Sequence, residues 1–313
     1  MYEDVIAYFE IPEEARAYVT EFLSGEEIAA VQKMGKNTYA TKDLHVLLES
    51  LAADPEKFIA SAHSRGVFNK VEKDGEVKYQ TANFYRRLAF FAQYEPDTWA
   101  AIPREHREAI DAWYVNVYAE GARPRLEAAR KDPSQLIENA YFVTLEEALG
   151  VVDKLEHDPY MVPCNCKSVA MNCDRPRNVC ILFDKGLNSE WDRGHGQPLT
   201  KEEAKELLRF ANKNGLMQTS ELRHAICNCD ACCCYPIRAS RKIGARGLWP
   251  KRLYNVVWDK ERCVNCKKCV RICNFGAFAE KEGKVFFEEK NCWGCTICSR
   301  NCPVKAISAE KAG

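Results

Sequence analysis

The sequence predicts an α+β chain of three successive domains: mainly helical at residues 1–157, cysteine-rich at 158–252, and a small C-terminal domain at 253–313. Three observations lead to this division. The first 163 residues contain no cysteine, whereas all seventeen cysteines lie between Cys164 and Cys302. Apolar residues of the first domain recur mainly at helical intervals. In the last domain, two short alternating runs flank Glu282-Gly283, which is typical of a β-hairpin.

Charge and cysteine usage limit the classes of protein that fit. The chain has 45 basic and 45 acidic residues, so no global charge favours nucleic acid or a membrane surface. The first ten residues lack the features of a signal peptide, and no stretch of 18 apolar residues occurs. We therefore expect a soluble, cytoplasmic protein without membrane insertion. In that compartment seventeen cysteines indicate metal ligation, because disulfides would be reduced.

The first domain begins with an acidic stretch, residues 1–30, whose apolar pattern predicts an amphipathic helical opening. A helix from Glu26, a strand at Thr38–Ala40 and a helix from Thr41 are expected next. Asp54 and Pro55 predict the start of a third helix that ends near Gly66. Alternating runs around Asp74-Gly75 then predict a hairpin. Residues 83–157 are expected to be helical, with aromatic residues in the core.

Three helices followed by a hairpin resemble a winged helix, and that resemblance implies a third helix able to contact DNA. The candidate contacts are Lys57, Ser61, His63, Ser64 and Arg65. Only Lys57 and Arg65 carry a permanent positive charge, whereas DNA binding usually needs a basic face. A docking or dimerising role is therefore favoured, and DNA is predicted not to be a partner.

The last domain contains two cysteine runs with the spacing of bacterial two-cluster ferredoxins. They are Cys263-x2-Cys266-x2-Cys269-x3-Cys273 and Cys292-x2-Cys295-x2-Cys298-x3-Cys302-Pro303. Each triplet can surround one [4Fe-4S] cluster from a single loop, and the fourth cysteine reaches the other cluster. The predicted sets are Cys263, Cys266, Cys269 and Cys302, and Cys292, Cys295, Cys298 and Cys273. Zinc would favour paired C-x2-C knuckles instead.

These residues resemble the two-[4Fe-4S] ferredoxin family over about 50 residues. One departure from the family is Asn274, which stands where a proline is expected after Cys273. This change relaxes the backbone there but removes no ligand.

Nine further cysteines in the central domain are candidate metal ligands. They form two groups in sequence: Cys164, Cys166, Cys173 and Cys180, then Cys227, Cys229, Cys232, Cys233 and Cys234. Clustered soft ligands select iron–sulfur clusters or zinc, and the neighbouring ferredoxin runs favour one or two further Fe-S clusters. Buried unliganded thiols would explain one or two positions. They do not explain three successive cysteines, whose side chains point in different directions.

The whole pattern resembles a family of multicluster 4Fe-4S dicluster-domain proteins of anaerobes, many of which open with a winged-helix-like segment. The resemblance spans residues 26–313 and implies electron carriage. The leading hypothesis is a protein that relays single electrons to or from a catalytic redox partner protein. The alternatives are a reductase acting on a small substrate at a central Fe-S cluster, and a redox-sensing winged-helix regulator. The sequence leaves open whether the chain is itself an enzyme, and its oligomeric state.

A basic connector, residues 236–252, joins the last two domains. Its six cations, without any acid, are Arg238, Arg241, Lys242, Arg246, Lys251 and Arg252. They can fold inward and offset the charge of anionic clusters, or face outward and steer an acidic redox partner.

Overall fold

The computed structural model describes residues 2–132, 140–220 and 224–312. These separate into two compact units. Unit 1 comprises the chain up to Tyr114 with Ser168–Ala170 and Asp184–Gly196. Unit 2 comprises Val115–Lys167, Met171–Phe183 and the chain from Gln197 onward. The division into three domains at residues 157 and 252 stays a prediction.

The opening of unit 1 is helical, as the acidic stretch predicted, but it is divided into short elements. It consists of α1 (Glu3–Phe9), a 3₁₀ helix (Glu13–Tyr18) and α2 (Val19–Phe22). Glu10 lies in the left-handed region and Pro12 has extended backbone, so α1 cannot continue through them. Helix α3 (Gly25–Met34) begins at a capping box formed by Ser24 and Glu27.

The middle of unit 1 confirms the expected order of elements. It contains β1 (Thr38–Ala40), α4 (Thr41–Leu48), α5 (Pro55–Ser64), β2 (Phe68–Lys73) and β3 (Glu76–Thr81). The Asp54 side chain accepts a hydrogen bond from the Lys57 N–H and caps α5. Asp74 and Gly75 have φ of 57° and 74°, as a type I′ hairpin turn requires. The three strands pair antiparallel in the order β1-β3-β2, and the winged-helix resemblance stays a prediction.

Three helices follow: α6 (Phe84–Tyr94), α7 (Pro96–Ala101) and α8 (Arg104–Lys131). Phe22, Phe91 and Trp99 form an aromatic contact cluster in the core of unit 1, as expected for these side chains. A strand, β4 (Tyr141–Val143), then interrupts the region that was expected to be helical. A segment of three residues is too short to show the alternating pattern of a strand. It forms β4 because it pairs with a strand that lies later in the chain.

Unit 2 is built on a six-stranded antiparallel sheet. The elements in this part of the chain are α9 (Leu145–Asp153), β5 (Tyr160–Pro163), α10 (Asn165–Ala170), β6 (Asn178–Leu182), β7 (Gln197–Pro198), α11 (Lys201–Lys213), β8 (Met217–Ser220), β9 (Ala225–Cys229) and α12 (Tyr235–Lys242). The last three residues of α10 belong to unit 1. The strand order is β4-β8-β9-β6-β5-β7. Helices α9 and α11 pack on the sheet through Ala148, Val152, Ala204 and Leu208. A capping box of Thr200 and Glu203 starts α11.

The C-terminal part of unit 2 is a duplicated module. It comprises β10 (Tyr254–Trp258), α13 (Lys268–Ile272), β11 (Phe278–Lys281), β12 (Lys284–Phe287), a 3₁₀ helix (Glu289–Asn291), α14 (Ile297–Asn301) and β13 (Ile307–Lys311). Strand β10 pairs with β13, and β11 pairs with β12 around the predicted Glu282-Gly283 turn. Among the described residues, no helix has the length and apolar character needed to cross a bilayer.

Candidate metal centres

The first ferredoxin-type set of cysteines surrounds a single cavity. Cys263, Cys266, Cys269 and Cys302 all line it, although Cys302 is 33 residues beyond the triplet. Trp258, Val264, Val285, Pro303 and Ile307 complete its largely apolar wall. Four soft sulfur ligands around an apolar cavity fit a [4Fe-4S] cluster, whose ligands are cysteine thiolates.

The second set brings Cys273 close to the Cys292 triplet. Cys292 and Cys298 are buried in the core of the module, and Cys273 packs against the same core. Burial raises the pKa of the Cys295 thiol to about 12, and the neighbouring Cys273 and Cys292 raise it as well. Such thiols stay protonated unless a positive centre stabilises their thiolates. Iron would supply that charge, so this set fits a cluster too.

Backbone turns at equivalent positions of the two runs hold the cysteines of the two ferredoxin-type sets. The second residue after the first cysteine is Asn265 in one run and Gly294 in the other, and both have positive φ. A Cβ on Gly294 would lie 2.5 Å from the Tyr254 carbonyl oxygen, so only glycine fits there. After each fourth cysteine, a backbone N–H donates to its sulfur: Ala277 to Cys273 and Ala306 to Cys302, both at 3.2 Å. These bonds favour the thiolate form.

Six of the nine central cysteines form a ring of neighbouring thiols. In order around the ring they are Cys164, Cys166, Cys234, Cys229, Cys227 and Cys180. Hydrogen bonds from Cys166 and Cys180 lower the pKa of Cys164 well below its usual value. Hydrogen bonds from Cys227 and Cys234 do the same for Cys229. Cys180 lies in β6, and Cys227 and Cys229 lie in β9, whereas Cys164, Cys166 and Cys234 lie at or near the starts of α10 and α12, so the central sheet assembles the ring.

A buried lysine lies beside this ring. Lys167 is 3% exposed, and its Nζ donates to the Asn228 carbonyl oxygen at 2.8 Å. Burial alone would lower the pKa of Lys167, but the negative charges of Cys164, Cys180 and Cys229 outweigh it and raise that pKa above its usual value. The ring therefore has one positive charge built into its surroundings.

The other three central cysteines lie together at a separate position. Cys173, Cys232 and Cys233 place their sulfurs, with a carboxylate oxygen of Asp230, within 4.8 Å of one another. Cys232 is exposed, whereas Cys233 is buried. The two sequence groups thus do not correspond to two sites, because each site draws cysteines from both.

The ring and the second ferredoxin-type set share one hydrophobic core. Cys229 and Cys234 of the ring pack in it with Trp293 and Cys295. The Trp293 ring stacks on Phe275 with centroids 4.8 Å apart. Arg241 and Arg246 lie over the Trp293 ring, each 5.6 Å from its centroid. Apolar and aromatic groups therefore fill the space between these two cysteine sets.

Few side chains of the predicted DNA-contacting set on helix α5 are exposed. His63 is buried, and Arg65 forms ion pairs with Glu27 and Glu95 within unit 1. Ser64 contacts His195, which leaves Lys57 and Ser61 as the exposed members of the predicted set. The expectation that DNA is not a partner stays a prediction.

Sequence reasoning missed three residues at these sites: Asp230, Lys167 and Asn274. Asp230 and Lys167 stand within the cysteine runs Cys-Asn-Cys-Asp and Cys-Asn-Cys-Lys, which was the available signal. Asn274 was noted only as a missing proline. Its side chain instead bonds Arg175, Gly215 and Ala231.

Two sets of four cysteines on a duplicated hairpin-and-helix module define an iron–sulfur protein of the ferredoxin type. Residues 262–307 match the family described as 4Fe-4S dicluster domain. Over 72 residues the chain is 37% identical to pyruvate synthase subunit PorD of Methanothermobacter marburgensis, covering 23% of this chain and 83% of PorD. PorD of Methanocaldococcus jannaschii is 40% identical over 63 residues, which cover 20% of this chain and 71% of that subunit.

The archaeal-type glutamate synthase (NADPH) of Thermotoga maritima is 38% identical over 55 residues, 17% of this chain. Those residues are only 11% of the synthase, so the chain spans about a tenth of that relative. No solved structure matches the chain. Through its C-terminal module the chain belongs to the ferredoxin-type 4Fe-4S dicluster family. The match supports iron–sulfur chemistry in that module.

Proposed function

We propose that this protein relays single electrons through three [4Fe-4S] clusters to or from a catalytic redox partner. The observation that carries the proposal is the core shared by Cys229, Cys234, Trp293 and Cys295. Ligands of two centres that pack in one dry, aromatic core provide a short route for an electron. A ring serving an unrelated purpose would not need to share a core with a ferredoxin module.

Each cluster has a proposed ligand set. Cys263, Cys266, Cys269 and Cys302 hold the first, and Cys292, Cys295, Cys298 and Cys273 hold the second. Four of the six ring cysteines hold the third. A cubane needs four thiolates, so the ring provides enough ligands for one central cluster and not for two.

The clusters supply reversible one-electron chemistry, and the residues around them exclude water and offset negative charge. Buried side chains such as Trp293 and Ile297 exclude water from the second set. Lys167 offsets the negative charge of the ring. Arg241 and Arg246 donate hydrogen bonds to the carbonyl oxygens of Ala231 and Cys292, so two connector cations lie next to cluster ligands.

The proposed partner is a separate oxidoreductase. Two relatives are named as subunits of pyruvate synthase, and another as a glutamate synthase, so similar modules accompany oxidoreductases. Which enzyme serves this chain is not encoded in the module. We place the pair in the cytoplasm, where a reducing thiol pool keeps unliganded cysteines from forming disulfides.

The test is EPR of the anaerobically purified full-length protein during stepwise reduction with dithionite. We expect three S = 1/2 signals of the [4Fe-4S] type, which broaden one another because the ligands of neighbouring clusters share a core. Electrons should pass to oxidised cytochrome c as a surrogate acceptor. Two signals only, both lost in the Cys292→Ser and Cys263→Ser variants, would refute the three-cluster relay.

A further inference from the structure

The separate group of Cys173, Asp230, Cys232 and Cys233 has the dimensions of a site for one metal ion. The sulfur atoms of Cys173 and Cys233 are 3.8 Å apart, as are those of Cys232 and Cys233. Zinc binds thiolate sulfur at about 2.3 Å in tetrahedral geometry, which places two sulfurs about 3.8 Å apart. The observed separations therefore match two ligands of a shared ion.

The carboxylate fits the fourth position of the same tetrahedron. Asp230 Oδ2 lies 3.6 Å from the Cys173 sulfur. A zinc–oxygen bond of about 2.1 Å beside a zinc–sulfur bond of about 2.3 Å predicts a separation of about 3.6 Å. Three sulfurs and one oxygen thus complete a tetrahedral donor set.

Hydrogen bonds already hold this carboxylate in place. Asp230 is 1% exposed, and its Oδ1 accepts hydrogen bonds from the backbone N–H groups of Cys233 at 2.7 Å and Cys232 at 3.2 Å. Lys167 Nζ lies 3.6 Å from Oδ2. Such outer contacts orient a ligand and leave its other oxygen directed at the ion.

Two other uses of these residues fit less well. A cubane binds each thiolate to a different iron, so its ligands surround a cavity, as the Cys263 set does. Here only three cysteines are present and the fourth donor is a carboxylate oxygen, whereas [4Fe-4S] clusters are held by four cysteine thiolates. Packing of apolar thiols alone would not gather three sulfurs around the charged carboxylate of Asp230, because that carboxylate offers no apolar surface even though Lys167 pairs with it. Cys232 is also exposed, which removes the benefit of burial.

We propose that Cys173, Asp230, Cys232 and Cys233 bind one tetrahedral divalent ion of the zinc class, separate from the iron–sulfur clusters. The ion clamps the segment after α10 onto the loop after β9, where the Asn172 amide also donates to the Cys232 carbonyl oxygen at 2.9 Å. That loop joins Cys227 and Cys229 of β9 to Cys234 at the start of α12, and all three belong to the ring. The ion therefore stabilises the position of the central cluster without carrying electrons.

The experiment measures zinc and iron by plasma mass spectrometry in anaerobic full-length protein after dialysis against EDTA. We expect one zinc per chain, and Co²⁺ in its place should give the intense visible d–d bands of tetrahedral thiolate coordination. Protein without zinc that takes up no Co²⁺, or that contains a Cys173–Cys233 disulfide by peptide mapping, would overturn the proposal.

Variants assign the ion to this site. Asp230→Asn and Cys232→Ser should weaken zinc binding by about tenfold or more, the usual effect of losing a ligand or its orienting contact. Both should leave most of the iron in place. Cys302→Ser is the matched control, since it should lose iron and keep zinc. Loss of iron with unchanged zinc in Cys232→Ser would assign Cys232 to a cluster and overturn the proposal, whatever the EPR spectra show.

Discussion

Lys167 is the residue whose charge most directly affects the central ring. It is buried and bonded to Asn228, and it lies among ring sulfurs whose charge raises its pKa. Reduction adds a negative charge to a cluster, and a nearby cation stabilises the reduced form. Its charge therefore favours electron acceptance at the ring.

Replacing Lys167 with methionine keeps the length of the side chain and removes the charge. We expect the reduction potential of the central cluster to fall by roughly 60 mV or more, since about 1.4 kcal/mol corresponds to 59 mV for one electron. Potentiometric EPR measures the shift. Lys57→Met, at an exposed position, is the control and should change nothing. An unchanged potential in a fully loaded Lys167→Met protein would contradict this role.

His63 is a buried neutral histidine in unit 1. Burial, followed by the positive charges of Arg193 and Lys70, lowers its pKa from 6.5 to about 4. In the unfolded chain it takes up a proton as pH falls below 6.5, whereas the folded chain resists protonation down to about 4. Stability contributed by this residue is thus present above pH 6.5 and is lost progressively between pH 6.5 and 4.

We expect His63→Gln to flatten this pH dependence. The wild-type free energy of unfolding should fall by up to about 3 kcal/mol from pH 7 to pH 4, at 1.36 kcal/mol per pKa unit. Anaerobic urea unfolding at pH 7, 6 and 5 measures it over the first part of this range. The exposed His106→Gln variant should behave like wild type. A His63→Gln protein with the wild-type slope would show that other groups cause the loss.

At the scale of elements, Asn274 joins the C-terminal module to the central sheet. It follows α13, and its Oδ1 accepts from Arg175 at 2.7 Å while its Nδ2 donates to the Gly215 carbonyl oxygen at 3.0 Å. The Ala231 N–H also donates to Oδ1, at 3.3 Å. A proline here could make none of these side-chain bonds, which gives a physical reason for the departure from the ferredoxin pattern.

Asn274→Ala should lower the free energy of unfolding by about 1–3 kcal/mol, because buried donors and an acceptor lose their partner. Anaerobic thermal or urea unfolding of the loaded protein measures the loss. Asn255→Ala, at an exposed position on β10, should cost much less. Equal effects of the two changes would mean that the Asn274 bonds do not secure the module.

The basic connector is the second element with a testable role. Arg241 and Arg246 donate to carbonyl oxygens beside cluster ligands and lie over Trp293. These contacts favour a role in offsetting the charge of the chain's own clusters over a role in steering a partner. Both side chains are exposed enough for either role.

Reversing charge with Arg241→Glu and Arg246→Glu should therefore make the potential of the Cys292 cluster more negative by tens of millivolts, about 1 kcal/mol or more. Potentiometric EPR measures the potential, and reduction kinetics at several salt concentrations measure steering. Lys251→Glu, exposed on the same connector, is the control. Unchanged potentials together with a lost salt dependence would assign these cations to an acidic partner instead.

At the scale of the whole molecule, the predicted crossed ligation of the module determines which variants should damage which cluster. The fourth cysteine of each run follows α13 or α14, and the cavity of the first triplet contains Cys302. Under this prediction, each half of the module depends on the other for one of its four ligands.

Cys302→Ser should perturb the cluster of the Cys263 triplet and spare that of the Cys292 triplet, and Cys273→Ser should do the reverse. EPR of the reduced variants separates the two signals. Wild-type protein should contain about twelve irons per chain, four for each of three clusters. Iron near eight would leave the ring without a cluster. If Cys302→Ser changed only the Cys292 signal, the ligand assignment would be wrong.

Sequence by itself determined what depends on near neighbours. The Asp74-Gly75 and Glu282-Gly283 turns and the Asp54 cap could be predicted, because a few adjacent residues decide them. The two ferredoxin-type cysteine runs were readable for the same reason, since ligand spacing within a loop is a local property. Two features could not be predicted in this way. The helical opening is interrupted at Pro12, where local signals compete, and strand β4 forms only because it pairs with a strand that is distant in sequence.

Only the tertiary structure decided how the nine central cysteines divide into a ring of six and a group of three with Asp230. Sheet pairing of β6 with β9 brings Cys180 near Cys227, although 46 residues separate them in sequence. Lys167 and Asp230 come to lie beside these sulfurs only when the chain folds. Burial and proximity are properties of the packed sheet, and spacing along the chain does not encode them.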